Sequence, residues 1–140
     1  MSEESRPVPE PDEVSRFYWE GASAGRLLLQ RCAGCARFQF PPDIVCVHCQ
    51  CEDLAPTAVS GRGSLYSYTV VERGFHQRFV DHLPYVVGLV ELAEQAGLRI
   101  LTNVVGADLA KLAVGMPVEV TFERRGDVAL PQFRPAGEGG

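Results

Sequence analysis

Two Cys-x-x-Cys pairs, Cys32-Ala33-Gly34-Cys35 and Cys46-Val47-His48-Cys49, lie ten residues apart and constrain this chain more than any other feature. Each pair folds as a tight knuckle that aims two thiolates at one point. Two knuckles joined by a short loop complete a tetrahedral cage of four sulfurs. Such a cage leaves no open coordination position, so the metal it implies is structural rather than catalytic. A disulfide pair or free buried thiols is the competing reading of the same spacing. Zn²⁺ is the default ion, and iron also fits four sulfurs. A segment of about 25 residues cannot bury a core of its own, so metal ligation has to supply its folding energy. Cys51 lies two residues beyond Cys49, but knuckle geometry favours Cys49 and leaves Cys51 as a spare thiol. His48 reads as a solvent-facing knuckle residue rather than a ligand.

Charge narrows the choice of partners. The net charge is −5, yet residues 1–13 hold five acids and one base, which leaves the rest near neutral. No basic surface for nucleic acid is present in that balance. Of the 13 basic residues only Lys111 is lysine. Arginine suits phosphate recognition, but composition alone does not show that role. Apolar runs are too short to span a membrane, and the acidic N-terminus carries no apolar leader. Both points lead us to expect a cytoplasmic protein without membrane association, in which clustered thiols hold metal rather than disulfides.

Along the chain, residues 1–12 form a proline-rich, acidic tail expected to be disordered. Asp12 reads as an N-cap with Glu13 in the first turn. Val14, Phe17, Tyr18 and Ala22 fall at helical spacing, and Gly25 closes the helix, which is expected over residues 13–25. Phe17, Tyr18 and Trp19 exceed what one core-facing stripe needs. Core packing is the favoured use, with Phe17 and Trp19 the candidates for contact with a partner. Residues 26–60 form the metal ribbon and a linker strand, with strands at Leu27–Arg31 and Phe38–Phe40. From Gly61 to Pro135 the pattern is β throughout: Leu65–Val71, Tyr85–Leu92, Leu98–Val105, a helical turn near Asp108–Leu112, then Val118–Glu123. A weak last strand, Leu130–Pro135, is expected at an edge because of its prolines. Residues 136–140 should fray. The fold class expected is mainly β: an N-terminal helix, a zinc ribbon, and a C-terminal five-stranded Greek-key barrel of the OB type.

No catalytic constellation emerges, because neither a nucleophile elbow nor a phosphate-binding glycine loop is present. His76 and His82 lie in the connection from Arg73 to Pro84, where no paired nucleophile is visible. In the same connection Phe75, His76 and Phe79 place rings beside Arg73 and Arg78. That loop is either a contact surface for an apolar ligand on a phosphate-bearing carrier or an ordinary loop packed on itself. Arg62 and Arg99 are further candidates for the carrier's phosphates.

The order of short motifs is specific. Phe17-x-x-Glu20-Gly21, Gly25-Arg26-Leu27, Gln30-Arg31-Cys32, Phe40-Pro41-Pro42, Gly61-x-Gly63-x-Leu65-x-Ser67-Tyr68-Thr69-Val70, Pro84-Tyr85-Val86-Val87, Gly115-Met116-Pro117-Val118 and Phe133-Arg134-Pro135 follow one another around the second knuckle. This succession resembles the acyl-CoA-associated zinc-ribbon/OB-fold family, a former domain-of-unknown-function group often encoded beside thiolases. The resemblance covers residues 14–135; Cys51 is a departure and the acidic tail lies outside it. It implies an N-terminal helix, a rubredoxin-like zinc ribbon and a C-terminal OB-fold barrel in a non-catalytic subunit of a hetero-oligomer, with structural Zn²⁺ on Cys32, Cys35, Cys46 and Cys49. The partner it implies is a thiolase-fold enzyme of the lipid-transfer-protein type, working on an acyl-CoA thioester. One setting for such pairs is a retro-aldol step of steroid side-chain degradation. A single-stranded nucleic-acid module is the alternative that ribbon and barrel also allow.

Overall fold

The computed structural model describes residues 12–72 and 85–136. The acidic tail, the C-terminal end and the connection carrying Arg73, Phe75, His76, Arg78, Phe79 and His82 lie outside the described residues. One helix, α1 (Arg16–Ser23), is followed by the strands β1 (Leu28–Cys32), β2 (Phe38–Gln39) and β3 (Leu54–Ala58). Then come β4 (Arg62–Val71), β5 (Tyr85–Leu92), β6 (Arg99–Val104), a 3₁₀ turn (Leu109–Lys111), β7 (Pro117–Arg125) and β8 (Val128–Pro135). Among the described residues no helix is long and apolar enough to cross a membrane.

The helix is shorter than the 13–25 expected, because Asp12 caps a preceding turn instead. Its Oδ1 accepts from the Ser15 N–H and the Ser15 hydroxyl, both at 2.8 Å, so Ser15 becomes the N-cap residue. These bonds hold the Asp12 carboxyl below its ordinary range. At the other end Gly25 has φ +76°. The Arg26 N–H reaches the Gly21 carbonyl at 2.8 Å and the Gly25 N–H reaches that of Ala22 at 2.9 Å. Only glycine takes that φ without steric cost, so the chain turns sharply into β1.

In the ribbon, β2, β1 and β3 form a three-stranded antiparallel sheet. The stretch expected to be a linker strand is β3, paired along β1 from Leu28↔Ala58 to Cys32↔Leu54. Beyond it the strands close in the order β4-β5-β6-β8-β7. That order, with β6 and β8 parallel, is the OB barrel. The last strand is therefore not an edge: β8 pairs with β7 from Val128 to Pro135. Its prolines are tolerated because β8 meets β6 at a single ladder pair, Val104↔Phe133, and Pro131 lies beyond that pair. No N–H is demanded of it there.

Strand β5 alternates strictly, turning Val86, Gly88, Val90 and Leu92 inward. One hydrophobic core draws on every barrel strand through Leu65, Val90, Ile100, Val118 and Phe133. It also takes Tyr18 from α1 and Leu27 and Leu29 from the ribbon. Each such side chain contributes about 1.5–3 kcal/mol on burial. Helix, ribbon and barrel thus share one interior.

A second device joins ribbon to barrel. The side chain of Gln95, in the β5–β6 turn, accepts from the Phe38 N–H at 2.8 Å and donates to the Phe38 carbonyl at 3.0 Å. Glu94 accepts the Ser60 N–H at 2.7 Å. Gln95 therefore pairs with the outer edge of β2 as another strand would. Replacing it by alanine removes two hydrogen bonds worth about 1 kcal/mol each. We expect Gln95→Ala to lower stability to urea by about 1–2 kcal/mol, with hydrogen exchange at Phe38 accelerating more than exchange inside the barrel.

Candidate metal centre

The four cysteines of the two pairs converge: the Sγ atoms of Cys32, Cys35, Cys46 and Cys49 all lie within 4.8 Å of one another. Cys32 and Cys49 are 3.6 Å apart, and Cys35 and Cys46 3.7 Å. A tetrahedron with metal–sulfur bonds of about 2.3 Å has edges of about 3.8 Å, so this donor set fits Zn²⁺. Zn²⁺ held by these four residues would serve as a structural cross-link with no position left for substrate. Cys51 stays outside the set, its Sγ accepting from the Asp53 N–H at 3.4 Å.

Both knuckles are the same turn. Gly34 and Cys35 donate their N–H groups to Cys32 Sγ at 3.2 and 3.5 Å, and His48 donates to Cys46 Sγ at 3.3 Å. The residue after each pair has positive φ, Ala36 at 64° and Gln50 at 68°. Its N–H returns to the carbonyl of the first cysteine at 2.8 Å in both cases. The directed amides make thiolate favourable: the Cys35 N–H foremost holds the Cys32 thiol down to about 6. At Cys46 burial works against ionisation, but the N–H groups of Cys49 and His48 outweigh it and the value is lowered. At Cys35 the Arg37 N–H favours thiolate, yet burial and the sulfurs of Cys46 and Cys32 prevail and raise it. Cys49 is pushed up to about 12, since the sulfur of Cys32 and its burial outweigh the Cys51 N–H. Four sulfurs this close repel as anions, and a divalent cation at their centre removes that repulsion.

Two buried glutamines hold the second knuckle in place. Gln30 and Gln39 are cross-strand partners on β1 and β2. The amide of Gln39 donates to Gln30 Oε1 at 2.9 Å and to the Val45 carbonyl at 3.1 Å, while its Oε1 accepts the Val47 N–H at 2.8 Å. Gln30 donates to the Asp43 carbonyl at 2.8 Å and accepts the Asp43 N–H at 2.9 Å. The loop carrying Cys46 is thereby fastened to the strand carrying Cys32. Sequence reading missed this pair as functional. The only signal is a polar side chain at the inward position of an alternating strand, as in Phe38-Gln39-Phe40. His48 is exposed and not among the four ligands; its ring lies 3.4 Å from Arg37 Nη1 and 3.3 Å from the Phe38 carbonyl.

The other candidates are placed as follows. Phe17 and Trp19 are half-buried and pack against the core around Tyr18. Trp19 meets Tyr18 edge-on at 4.8 Å, and Phe40 lies 5.3 Å from Tyr18 on a tilt. Arg99 is engaged already, its guanidinium 3.8 Å over the Tyr66 ring and its Nε 3.0 Å from Glu91. Arg62 is exposed at the start of β4.

We expect Cys32→Ser or Cys46→Ser to abolish stoichiometric zinc, and Cys51→Ser to retain it, as read by metal assay on the purified chain; the opposite result for Cys49 and Cys51 would reassign the ligand. We further expect Gln39→Ala, which strands the Val47 N–H and the Val45 carbonyl, to cost about 1–3 kcal/mol and to speed zinc loss to a chelator with all ligands intact.

Comparison with known proteins agrees with this architecture. Family models for the ChsH2 rubredoxin-like zinc ribbon domain and the ChsH2 C-terminal OB-fold domain match residues 19–54 and 56–123. A probable enoyl-CoA hydratase alpha subunit of Thermomonospora curvata is 41% identical over 132 residues, which are 94% of this chain and 40% of that protein. The 3-oxo-4,17-pregnadiene-20-carboxyl-CoA hydratase alpha subunit of Mycobacterium tuberculosis is 33% identical over 129 residues, 91% of this chain and 39% of its own length. This chain thus spans about 40% of the length of these curated relatives. Among solved structures, a chain of the Ltp2-ChsH2(DUF35) aldolase superposes with a TM-score of 0.82 at 39% identity, covering 93% of this chain and 100% of that one. A helix, a four-sulfur ribbon and a closed OB barrel in this order, matched over the full length of that DUF35 chain, show that the protein belongs to the DUF35 zinc-ribbon/OB-fold family.

Proposed function

We propose that the chain is a non-catalytic accessory subunit, held together by Zn²⁺ on Cys32, Cys35, Cys46 and Cys49, that docks on a thiolase-fold enzyme of the lipid-transfer-protein type. There it helps bind or present an acyl-CoA thioester for C–C bond cleavage or formation. The observation that carries this reading is the end-to-end match to the DUF35 chain of an aldolase named for two components. The two hydratase alpha subunits support the CoA thioester as ligand class, and the pregnadiene compound in one name supports a steroid side chain as its acyl group. In chemical terms, the enzyme subunit supplies the groups that break the bond. This chain supplies a rigid surface that orders the entrance to that site.

The reading assigns roles by exclusion of charge. Arg99 is already neutralised by Glu91 and stacked on Tyr66, so it offers little to a phosphate. Arg73 and Arg78 of the β4–β5 connection are the better choice for the carrier's phosphates, since Arg62 opens the ten-residue β4 at the end away from that connection. Phe75, His76 and Phe79 in the same connection are the candidates for contact with the acyl portion.

Co-expression with a thiolase-fold subunit of the Ltp2 type, followed by size-exclusion chromatography and metal assay, tests the proposal. We expect one joint peak carrying about one zinc per copy of this chain. An enzyme subunit that is fully active alone and elutes separately would overturn it.

A further inference from the structure

Between α1 and the ribbon lies a groove of about 350 Å³, shallow and open to solvent. Val14 and Phe17 form one wall, and Leu54 and Pro56 of β3 line the groove with them. Ile44, on the loop leading into the second knuckle, completes it with 70% of its surface exposed. Val47, three residues on and inside the second knuckle, is 60% exposed. A core has no use for side chains placed so. Yet this loop is tied to the sheet: the Asp43 N–H and carbonyl are bonded to the Gln30 side chain at 2.9 and 2.8 Å, and Val47 N–H to Gln39 Oε1 at 2.8 Å. Apolar side chains displayed on a rigid loop lose little entropy when covered, which is the character of a binding hot spot.

The groove's charge identifies what covers it. Glu13, Asp43 and Glu52 line it, and among the described residues no lysine or arginine does. Three carboxylates repel the phosphates of CoA or of a nucleic acid, so neither ligand belongs here. They equally disfavour the chain's own acidic residues 1–11. An open groove of this depth also suits a protein segment better than a small molecule, which is normally enclosed over most of its surface. We propose that this groove is the docking site for a cationic amphipathic segment of the enzyme subunit, with apolar side chains on Ile44, Phe17 and Val14 and Lys or Arg against the three carboxylates. The inference rests on the accessory-subunit reading and adds the surface and the partner chemistry to it.

The test measures binding of a thiolase-fold subunit of the Ltp2 type to the full-length, zinc-loaded chain. Ile44→Ser and Val14→Ser remove apolar groups that line the groove and belong to neither core nor cage, and zinc content checks that the ribbon is intact. We expect the pair to raise Kd at least about tenfold. Glu13→Lys with Glu52→Lys should slow association and remove most of its salt dependence. Leu101→Ser, at a position 70% exposed on β6, should leave Kd unchanged. Groove variants that bind as the unaltered chain does, or a loss confined to Leu101→Ser, would overturn the assignment while leaving the accessory role standing. A free chain that dimerises and becomes monomeric with Ile44→Ser would overturn it in favour of a self-interface. Absence of binding by the unaltered chain would overturn the accessory role itself.

Discussion

The shared interior of ribbon and barrel is the constraint on which everything else depends. A ribbon with strands of five, two and five residues has no room for a core of its own. It is stabilised from two sides: the four-sulfur cage fixes one end, and Leu27 and Leu29 join the cluster that also holds Tyr18 of α1 and the barrel's Phe133. Neither alone suffices physically. The cage ties two turns together but orients nothing beyond them, and two leucines alone would leave the second knuckle untethered. Gln30 and Gln39 supply the link, since they bond the loop of one knuckle to the strand of the other. A buried polar pair is costly unless every group finds a partner, and here the groups find them in the backbone of residues 43–47.

Much of this was legible in the sequence for identifiable reasons. Cysteine spacing revealed the cage because ligand geometry is local. Strict alternation in Val118–Glu123 revealed β7, and the apolar run Tyr85–Leu92 revealed β5. Gly25 revealed the end of α1 because positive φ selects glycine. Errors arose where a partner, near or remote in sequence, decided the outcome. Pro131 signalled an edge, yet β8 lies inside a closed barrel because β6 leaves the proline's neighbourhood unpaired. Asp12 had the chemistry of an N-cap, but its partner Ser15 displaced it from that position by three residues.

The site itself was half legible. Which cysteines converge follows from the knuckle pattern. What positions them does not, because a glutamine in a strand looks solvent-facing until its cross-strand partner is known. Gln95 lies 57 residues from Phe38, and no local pattern links them. The exposure of Ile44 and Val47 was equally hidden: in sequence they are ordinary apolar residues near a cysteine, and only the folded loop turns them outward.

The grip of the β5–β6 turn on β2 has a mechanical consequence. That turn continues directly into two adjacent barrel strands, while its Gln95 side chain is bonded to the strand that leads out of the first knuckle. Ribbon and barrel therefore cannot swivel independently, and the molecule behaves as a lever with no joint at its middle. Whatever seats one end fixes the heading of the other, so an angular tolerance of a few degrees at the ribbon would translate into ångström-scale accuracy at the far rim of the barrel.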